Sequence, residues 1–311
     1  MPVGTFQLPG TRLFVETNEE RLLDLARRLW TQVEGAPSGE VEDAPPGAAE
    51  INAAWTVTSG PQPDALPERR LAWTLSPDVY RAEIPGHLAV RITFDPPSVA
   101  GALSLSLLES FPSTVGRYLL EAPLAALLGA RQHQPLHAGA IVGPHGAVVI
   151  RGRSGAGKST LVAAAWRAGL GILGDESLLV SRGDPDDLSS TVRDLTLLPD
   201  AARLLGLEPF SEPAFSGGEE KRRIDLFQSS RPSDRRARRR ATVLLGRRTG
   251  PARLIPLAPA DFMAEFRQGE IPQERATGDP DPIARAWSAR DAFRLEGAND
   301  LAGALELLRS L

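Results

Sequence analysis

Cysteine is absent from this chain of 311 residues, which excludes disulfides, thiol nucleophiles and cysteine-ligated zinc. Of the four histidines, only His133 and His137 lie close in sequence. Pro135 stands between them and no third ligand is in view, so a histidine-based metal centre is not expected. No apolar run reaches the roughly 18 residues a membrane-spanning helix needs. The opening Met-Pro-Val-Gly-Thr-Phe-Gln lacks the charged and apolar regions of a secretory signal. A soluble, cytoplasmic protein is the expectation. Lysine is also nearly missing: of 35 basic residues only Lys158 and Lys221 are lysines. A lysine kept against so strong a bias is expected where a compact ammonium is needed and a planar guanidinium does not fit.

The chain has 42% hydrophobic and 24% charged residues and a formal net charge of −4. Those values suit a globular protein with room for two domains. The expected fold class is α/β, divided into an N-terminal α+β module over residues 1–112 and a larger domain over residues 113–311. In the module, Phe6 and Leu13–Val15 read as strand and Glu19–Trp30 as an amphipathic helix. Val33–Glu50, rich in proline, glycine and acids and without a basic residue, reads as an exposed linker. Strand-like runs follow at Ile51–Thr58, Leu71–Leu75, Val79–Ile84 and Leu88–Phe94. A helix is expected from about Ser113 to Leu128, with Pro123 a kink or break.

The most specific feature lies in the second domain. Gly152, Arg153, Ser154, Gly155, Ala156, Gly157, Lys158 and Ser159 form a complete G-x-x-x-x-G-K-[ST] loop. It follows the strand-like Ala147–Ile150 and precedes an alanine-rich helix expected to end at Gly169. In such a loop backbone N–H groups and a helix N-terminus surround phosphate oxygens. Lys158 would reach the β- and γ-phosphates of a nucleoside triphosphate, Ser159 would ligate Mg²⁺, and Thr160 would complete the binding segment. ATP and Mg²⁺ are the expected cofactors. One helix and one short strand later, Asp175-Glu176 offers carboxylates for the metal and for a general base. Lys221 is a weaker candidate for a second phosphate or substrate contact.

His137, in Leu136-His-Ala-Gly-Ala-Ile-Val142, opens a short strand expected from His137 to Val142 and precedes the loop, and Gly174-Asp-Glu176 follows it. This order and spacing resemble the catalytic domain of the HPr kinase/phosphorylase family over roughly Ser113–Asp184. The resemblance implies a P-loop kinase domain in which Asp175 is the base for a serine-type hydroxyl. Ser159, Asp175 and Glu176 would hold the metal, and His137 would tune Asp175 or relay its proton. The second acid is glutamate where that family has aspartate, and the family's downstream signature has only a positional echo at Val192-Arg-Asp-Leu195, so reverse phosphorolysis is not expected. The chain is more similar to divergent HPr-kinase-like kinases of peptide-maturation clusters. That likeness implies a peptide or protein partner with an acceptor serine.

Other readings compete. Phe215-Ser-Gly-Gly-Glu219 is reminiscent of a transport-ATPase signature but comes too soon after the loop, and is read as a flexible loop. Residues 221–240 hold nine basic and two acidic side chains. Arg231–Arg240 lacks interleaved aromatics, so nucleic acid is not the expected partner and a solvated face is. A regulatory nucleotide-binding protein without phosphotransfer and a small-molecule hydroxyl kinase remain the alternatives. A homo-oligomer is compatible with the sequence.

Overall fold

The computed structural model describes residues 1–8, 11–30, 49–76, 78–191, 194–216, 218–226 and 236–311. The linker expected over Val33–Glu50 therefore lies almost wholly outside the described residues, as do Val192, Arg193 and the first half of the Arg231–Arg240 run. The chain divides into two compact units, Met1–Arg131 with Phe215–Glu219, and Gln132–Ala214 with Glu220–Leu311. The division falls beyond the boundary expected at 112/113, so the helical segment before Gln132 is counted with the first unit.

The first unit is built on a seven-stranded sheet. Its strands are β1 (Val3–Leu8), β2 (Thr11–Thr17), β3 (Ala49–Thr58), β4 (Ala72–Leu75), β5 (Val79–Ile84), β6 (Leu88–Phe94) and β7 (Pro97–Ser104), in the order β1-β2-β3-β7-β6-β5-β4. β2, β3 and β7 run parallel and the other pairs are antiparallel. Alternation drives the burial: Leu13 and Val15 of β2 face inward, as do Val90 and Ile92 of β6. Helix α1 (Glu20–Trp30) buries Leu22, Leu23, Leu25 and Ala26, the stripe of an amphipathic helix, against β1 and β2. After α2 (Leu105–Ser110), α3 (Pro112–Val115) continues through a π turn at Gly116–Glu121 into α4 (Ala122–Arg131). The break expected at Pro123 is this wide turn. Proline has no N–H to donate and its ring would strike the carbonyl four residues back, and a π turn just ahead of it relieves both problems.

The second unit holds β8 (His133–Leu136), β9 (Gly139–Gly143), β10 (Gly146–Arg151), α5 (Lys158–Arg167), β11 (Gly171–Gly174), β12 (Leu178–Ser181), β13 (Asp187–Ser189), β14 (Asp194–Leu197) and α6 (Pro199–Leu204). β15 (Glu212–Ser216), β16 (Glu219–Asp225), β17 (Arg236–Leu245), β18 (Arg253–Pro256), α7 (Pro259–Gln268), α8 (Pro272–Thr277), α9 (Asp281–Ser288), β19 (Ala292–Glu296) and α10 (Leu301–Arg309) complete the chain. Strand order in the main sheet is β11-β9-β10-β17-β13-β12-β8, with β19 also on β17 and β18 on β19. β14 pairs antiparallel with β16 in a separate small sheet. The fold is mixed α/β.

β17 is the spine of this unit. Its first residues pair antiparallel with β13, and its later ones run parallel to β10 on one side and to β19 on the other. Side-chain alternation along β10 feeds two cores. Val148 and Ile150 join Leu161, Val162 and Trp166 of α5, together with Ala304 and Leu308 of α10. Ala147 and Val149 join Phe262, Phe266, Ile283 and Trp287 of α7 and α9. The result is a sheet with a helical layer on each face, which is why β10 reads as an unbroken apolar run. α5 ends with a cap at Ala168 and Gly169 at φ +84°, as expected.

Phe262 is fully buried at the centre of the α7/α9 core. Phe262→Ala is expected to destabilise the second unit by about 3–5 kcal/mol, read as a lower urea midpoint for its unfolding transition. A change below about 1 kcal/mol would mean that α7 is not packed as described.

Candidate functional site

The site forms where a two-stranded ladder is interrupted. β9 pairs with β11 up to Ala140↔Gly174, and β8 pairs with β12 from Leu136↔Leu178. Both strands advance by four residues between these rungs, so the break at His137 and Ala138 lies opposite the break at Asp175, Glu176 and Ser177. His137 sits in the short link between β8 and β9 and not within a strand, which corrects the strand expected from His137 to Val142. Glu176 holds φ +66°, a left-handed conformation rare for a residue with a side chain. Such local strain persists only where the surroundings impose it.

Next to this break stands the glycine-rich loop between β10 and α5. Gly155 and Gly157 take φ +76° and +101°, values a side chain would resist, and the Ala156 N–H donates to Arg153 O at 3.1 Å. α5 begins at Lys158 with no side-chain cap, leaving its first N–H groups directed at the loop. Lys158 is buried, and its ammonium donates to the carbonyls of Gly152 (3.0 Å) and Arg153 (3.3 Å). Burial lowers its pKa. Asp175 and Glu176 oppose that shift, and Arg151 and Lys221 reinforce it.

Asp175 is 1% exposed, and neither carboxylate oxygen has a hydrogen bond of ordinary geometry. Desolvation raises its pKa above the usual carboxylate range, and Glu176 raises it further. The Ser159 hydroxyl and the Lys158 ammonium pull it back, while Asp194 adds to the rise. Glu176 faces the chain's other lysine: Lys221 Nζ on β16 lies 3.5 Å from Glu176 Oε1. The two lysines of the sequence thus meet the same acidic pair.

His137 is held neutral. Burial foremost lowers its pKa, the Lys158 ammonium lowers it further, and Glu176, through its charge and a backbone hydrogen bond, offsets part of the shift. The acid acting on His137 is Glu176; the groups acting on Asp175 are Glu176, Ser159, Lys158 and Asp194. Of the other loop residues, Arg153 is drawn to Gln268 at the end of α7 (3.1 Å), Ser154 is exposed, and Ser159 and Thr160 are half-buried in the first turn of α5.

Two residues without a sequence signal hold these parts in register. Arg151, the last residue of β10, is fully buried and donates bidentately to Glu274 of α8, with Nη1–Oε1 and Nη2–Oε2 both 2.8 Å. Its Nε donates to Phe266 O at 3.0 Å, and the guanidinium carbon lies 4.1 Å from the centre of the Phe266 ring. Glu274 Oε1 also accepts the backbone N–H of His137 at 2.5 Å. One carboxylate therefore ties the root of the glycine loop to the His137 link.

The arginine run is neutralised from within the fold. Arg236 forms a bidentate pair with Asp187 (2.7 and 2.8 Å), Arg238 pairs with Asp184, and Arg240 pairs with Asp291 at 3.0 Å. Arg239 is buried on Asp186 (2.7 Å) with its guanidinium over Trp287. Its described half, residues 236–240, is thus a charged strand with acidic neighbours, not a free polycationic face.

The donor set at the break suits magnesium. Ser159, Asp175 and Glu176 offer hard oxygens beside the glycine-rich loop. Among the described residues no three His, Cys, Asp or Glu side chains converge as a metal cage. Magnesium does not require one, since it commonly takes one or two carboxylates together with phosphate and water oxygens.

Breaking the buried pair tests this architecture. Glu274→Leu leaves the Arg151 guanidinium buried without its carboxylate and is expected to cost about 3–5 kcal/mol, whereas Arg151→Met with Glu274→Leu costs much less than the two single changes combined. Denaturant titration of the three variants measures the coupling; strict additivity would show that the pair does not join the two segments. A scan against protein-family models found no matching family, and a search of the curated proteins found no relative.

Proposed function

We propose that the chain is an ATP- and Mg²⁺-dependent P-loop kinase of the HPr-kinase-like type, transferring the γ-phosphate to a serine-type hydroxyl of a peptide or protein. The observation that carries this reading is the meeting of the complete glycine-lysine-serine loop with a buried carboxylate of raised pKa, Asp175, from a neighbouring strand break, acted on by Ser159 and Lys158 of that loop and helix. A loop alone would suit any triphosphate-binding protein. A carboxylate of raised pKa close to Lys158 and Ser159 adds a group able to take a proton from an acceptor.

In this reading Lys158 leaves the carbonyls of Gly152 and Arg153 for the β- and γ-phosphate oxygens, while the backbone N–H groups of the loop and of the first turn of α5 receive the rest of the charge. Magnesium, when bound, would draw the phosphate charge and be held by Ser159 with Asp175 or Glu176. Asp175 accepts the proton of the acceptor hydroxyl as its oxygen attacks the γ-phosphorus. The bond from that phosphorus to the β–γ bridging oxygen breaks and ADP departs on the opposite side. Lys221 steadies Glu176 and stands ready for the transferred phosphoryl group. His137, uncharged, orients the Glu176 backbone and leaves proton transfer to Asp175. Most of the rate enhancement then comes from positioning and charge neutralisation.

Two substitutions separate binding from transfer. Lys158→Ala is expected to weaken ATP binding by at least about tenfold in a calorimetric titration, from the loss of a charge-assisted contact. Asp175→Asn, nearly identical in shape, is expected to keep ATP affinity within roughly threefold and to slow phosphoryl transfer to a serine acceptor by about 10²–10⁴-fold. Unchanged affinity in the first variant, or undiminished transfer in the second, would refute the assignment.

A further inference from the structure

The glycine-rich loop has two flanks in the sheet, and Asp175 and Glu176 lie on one of them. In the order β11-β9-β10-β17, the Asp175 break follows β11 on one side of β10. On the other side β17 and β19 run parallel to β10, so the loops after all three strands leave the same edge of the sheet. The carboxyl edge of parallel strands is where ligands of α/β folds bind.

The two loops on that flank are tied to each other and to the glycine-rich loop. Gly297 N–H donates to Arg247 O (2.7 Å) and Asn299 N–H to Arg248 O (2.9 Å). Gly297, at φ +73°, permits this approach, since a Cβ there would stand 2.2 Å from Pro251 O. Arg248 projects from this pair: its Nε donates to Asn299 Oδ1 at 3.2 Å and its Nη1 to Gly155 O at 3.3 Å. Its bond is to the Gly155 carbonyl, the acceptor side of the glycine-rich loop, whereas phosphate oxygens would be met by the loop's backbone N–H donors. The guanidinium is exposed and fixed at the loop's rim.

In-line displacement puts the nucleophile and the leaving group on opposite sides of the γ-phosphorus. If Asp175 serves the acceptor on the β11 flank, the leaving diphosphate and its nucleoside extend toward the β17/β19 flank. We propose that Arg248 and Asn299, on the loops after β17 and β19, form the nucleoside subsite, with the guanidinium plane under the base and the Asn299 amide at its edge. This rests on the P-loop reading above. A guanidinium held flat by two hydrogen bonds is a suitable stacking surface for a heteroaromatic ring, and one that a lysine would not reproduce.

The test compares two probes that share phosphates and differ in the nucleoside: Mg²⁺·ATP and Mg²⁺·tripolyphosphate, titrated calorimetrically into the full chain. Arg248→Ala is expected to weaken ATP by about tenfold and to leave tripolyphosphate within about twofold, erasing much of the preference for the nucleotide. Asn299→Ala gives the same pattern with a smaller loss, and serves should the first variant fold poorly. Unchanged ATP affinity in Arg248→Ala, or an equal loss for both probes, overturns the subsite, the latter by making Arg248 a brace of the glycine-rich loop. Lys158→Ala is the control for the underlying reading: it must weaken both probes. If the parent chain binds neither probe, the P-loop reading fails and the subsite falls with it.

Discussion

A guanidinium with no exposed surface sits at the foot of the glycine-rich loop, and the site depends on how that charge is satisfied. Arg151 lies at the buried end of β10, where an unpaired cation would be strongly unfavourable. Glu274 meets it bidentately and in the same stroke accepts the backbone of His137, while the Phe266 carbonyl and ring cover the rest. Buried pairs of this kind add little net stability compared with apolar residues of the same volume. Their value is geometric, because a bidentate fork accepts few orientations. Here it sets the exit direction of β10, and with it the loop, relative to the β8–β9 link that faces Asp175 and Glu176.

The break in the β8/β9 and β11/β12 ladder gathers charged groups that a continuous ladder would keep apart. Paired strand residues commit their backbone groups to one another. His137 and Ala138 on one strand and Asp175, Glu176 and Ser177 on the other are released from that pairing, and Glu176 among them adopts a left-handed backbone. Into this gap come groups of opposite sign from three further elements: Lys158 from α5, Lys221 from β16 and Arg151 from β10. The arrangement raises the pKa of a carboxyl group and lowers those of an ammonium and an imidazole within one cluster. Such a concentration of perturbed groups is typical of functional sites. The parallel strands β17 and β19 beside the loop carry Arg248 and Asn299 on the loops that follow them.

Much of this was legible locally. The loop glycines, the helix end at Gly169 and the alternating strands of the first unit follow from residue type and spacing, since each is fixed by interactions within a few residues. Both lysines stood out against the arginine bias, and both fall in the site. Glu274 was invisible, because nothing in Pro-Gln-Glu-Arg-Ala-Thr distinguishes a carboxylate destined to meet residues 123 and 137 positions away. Arg236, Arg238 and Arg240 are exposed, as a solvated run would be; the burial of Arg239 and the pairing with Asp184, Asp186, Asp187 and Asp291 were not visible, because those partners come from other segments. Likewise His137 read as a strand residue: the apolar stretch around it is continuous in sequence, and only the pairing of β8 with β12 and β9 with β11 reveals the bend.

The most direct test of the central claim is mass spectrometry of acceptors after incubation of the full chain with ATP and Mg²⁺. The panel contains HPr, peptides ending in serine and small hydroxylated metabolites. The account predicts that a serine-bearing peptide or protein gains one phosphate, and that the gain disappears in Asp175→Asn. Phosphate transfer that persists undiminished in Asp175→Asn, or a chain that binds ATP and modifies none of a broad set of serine acceptors, would contradict it and favour a nucleotide-dependent regulatory protein.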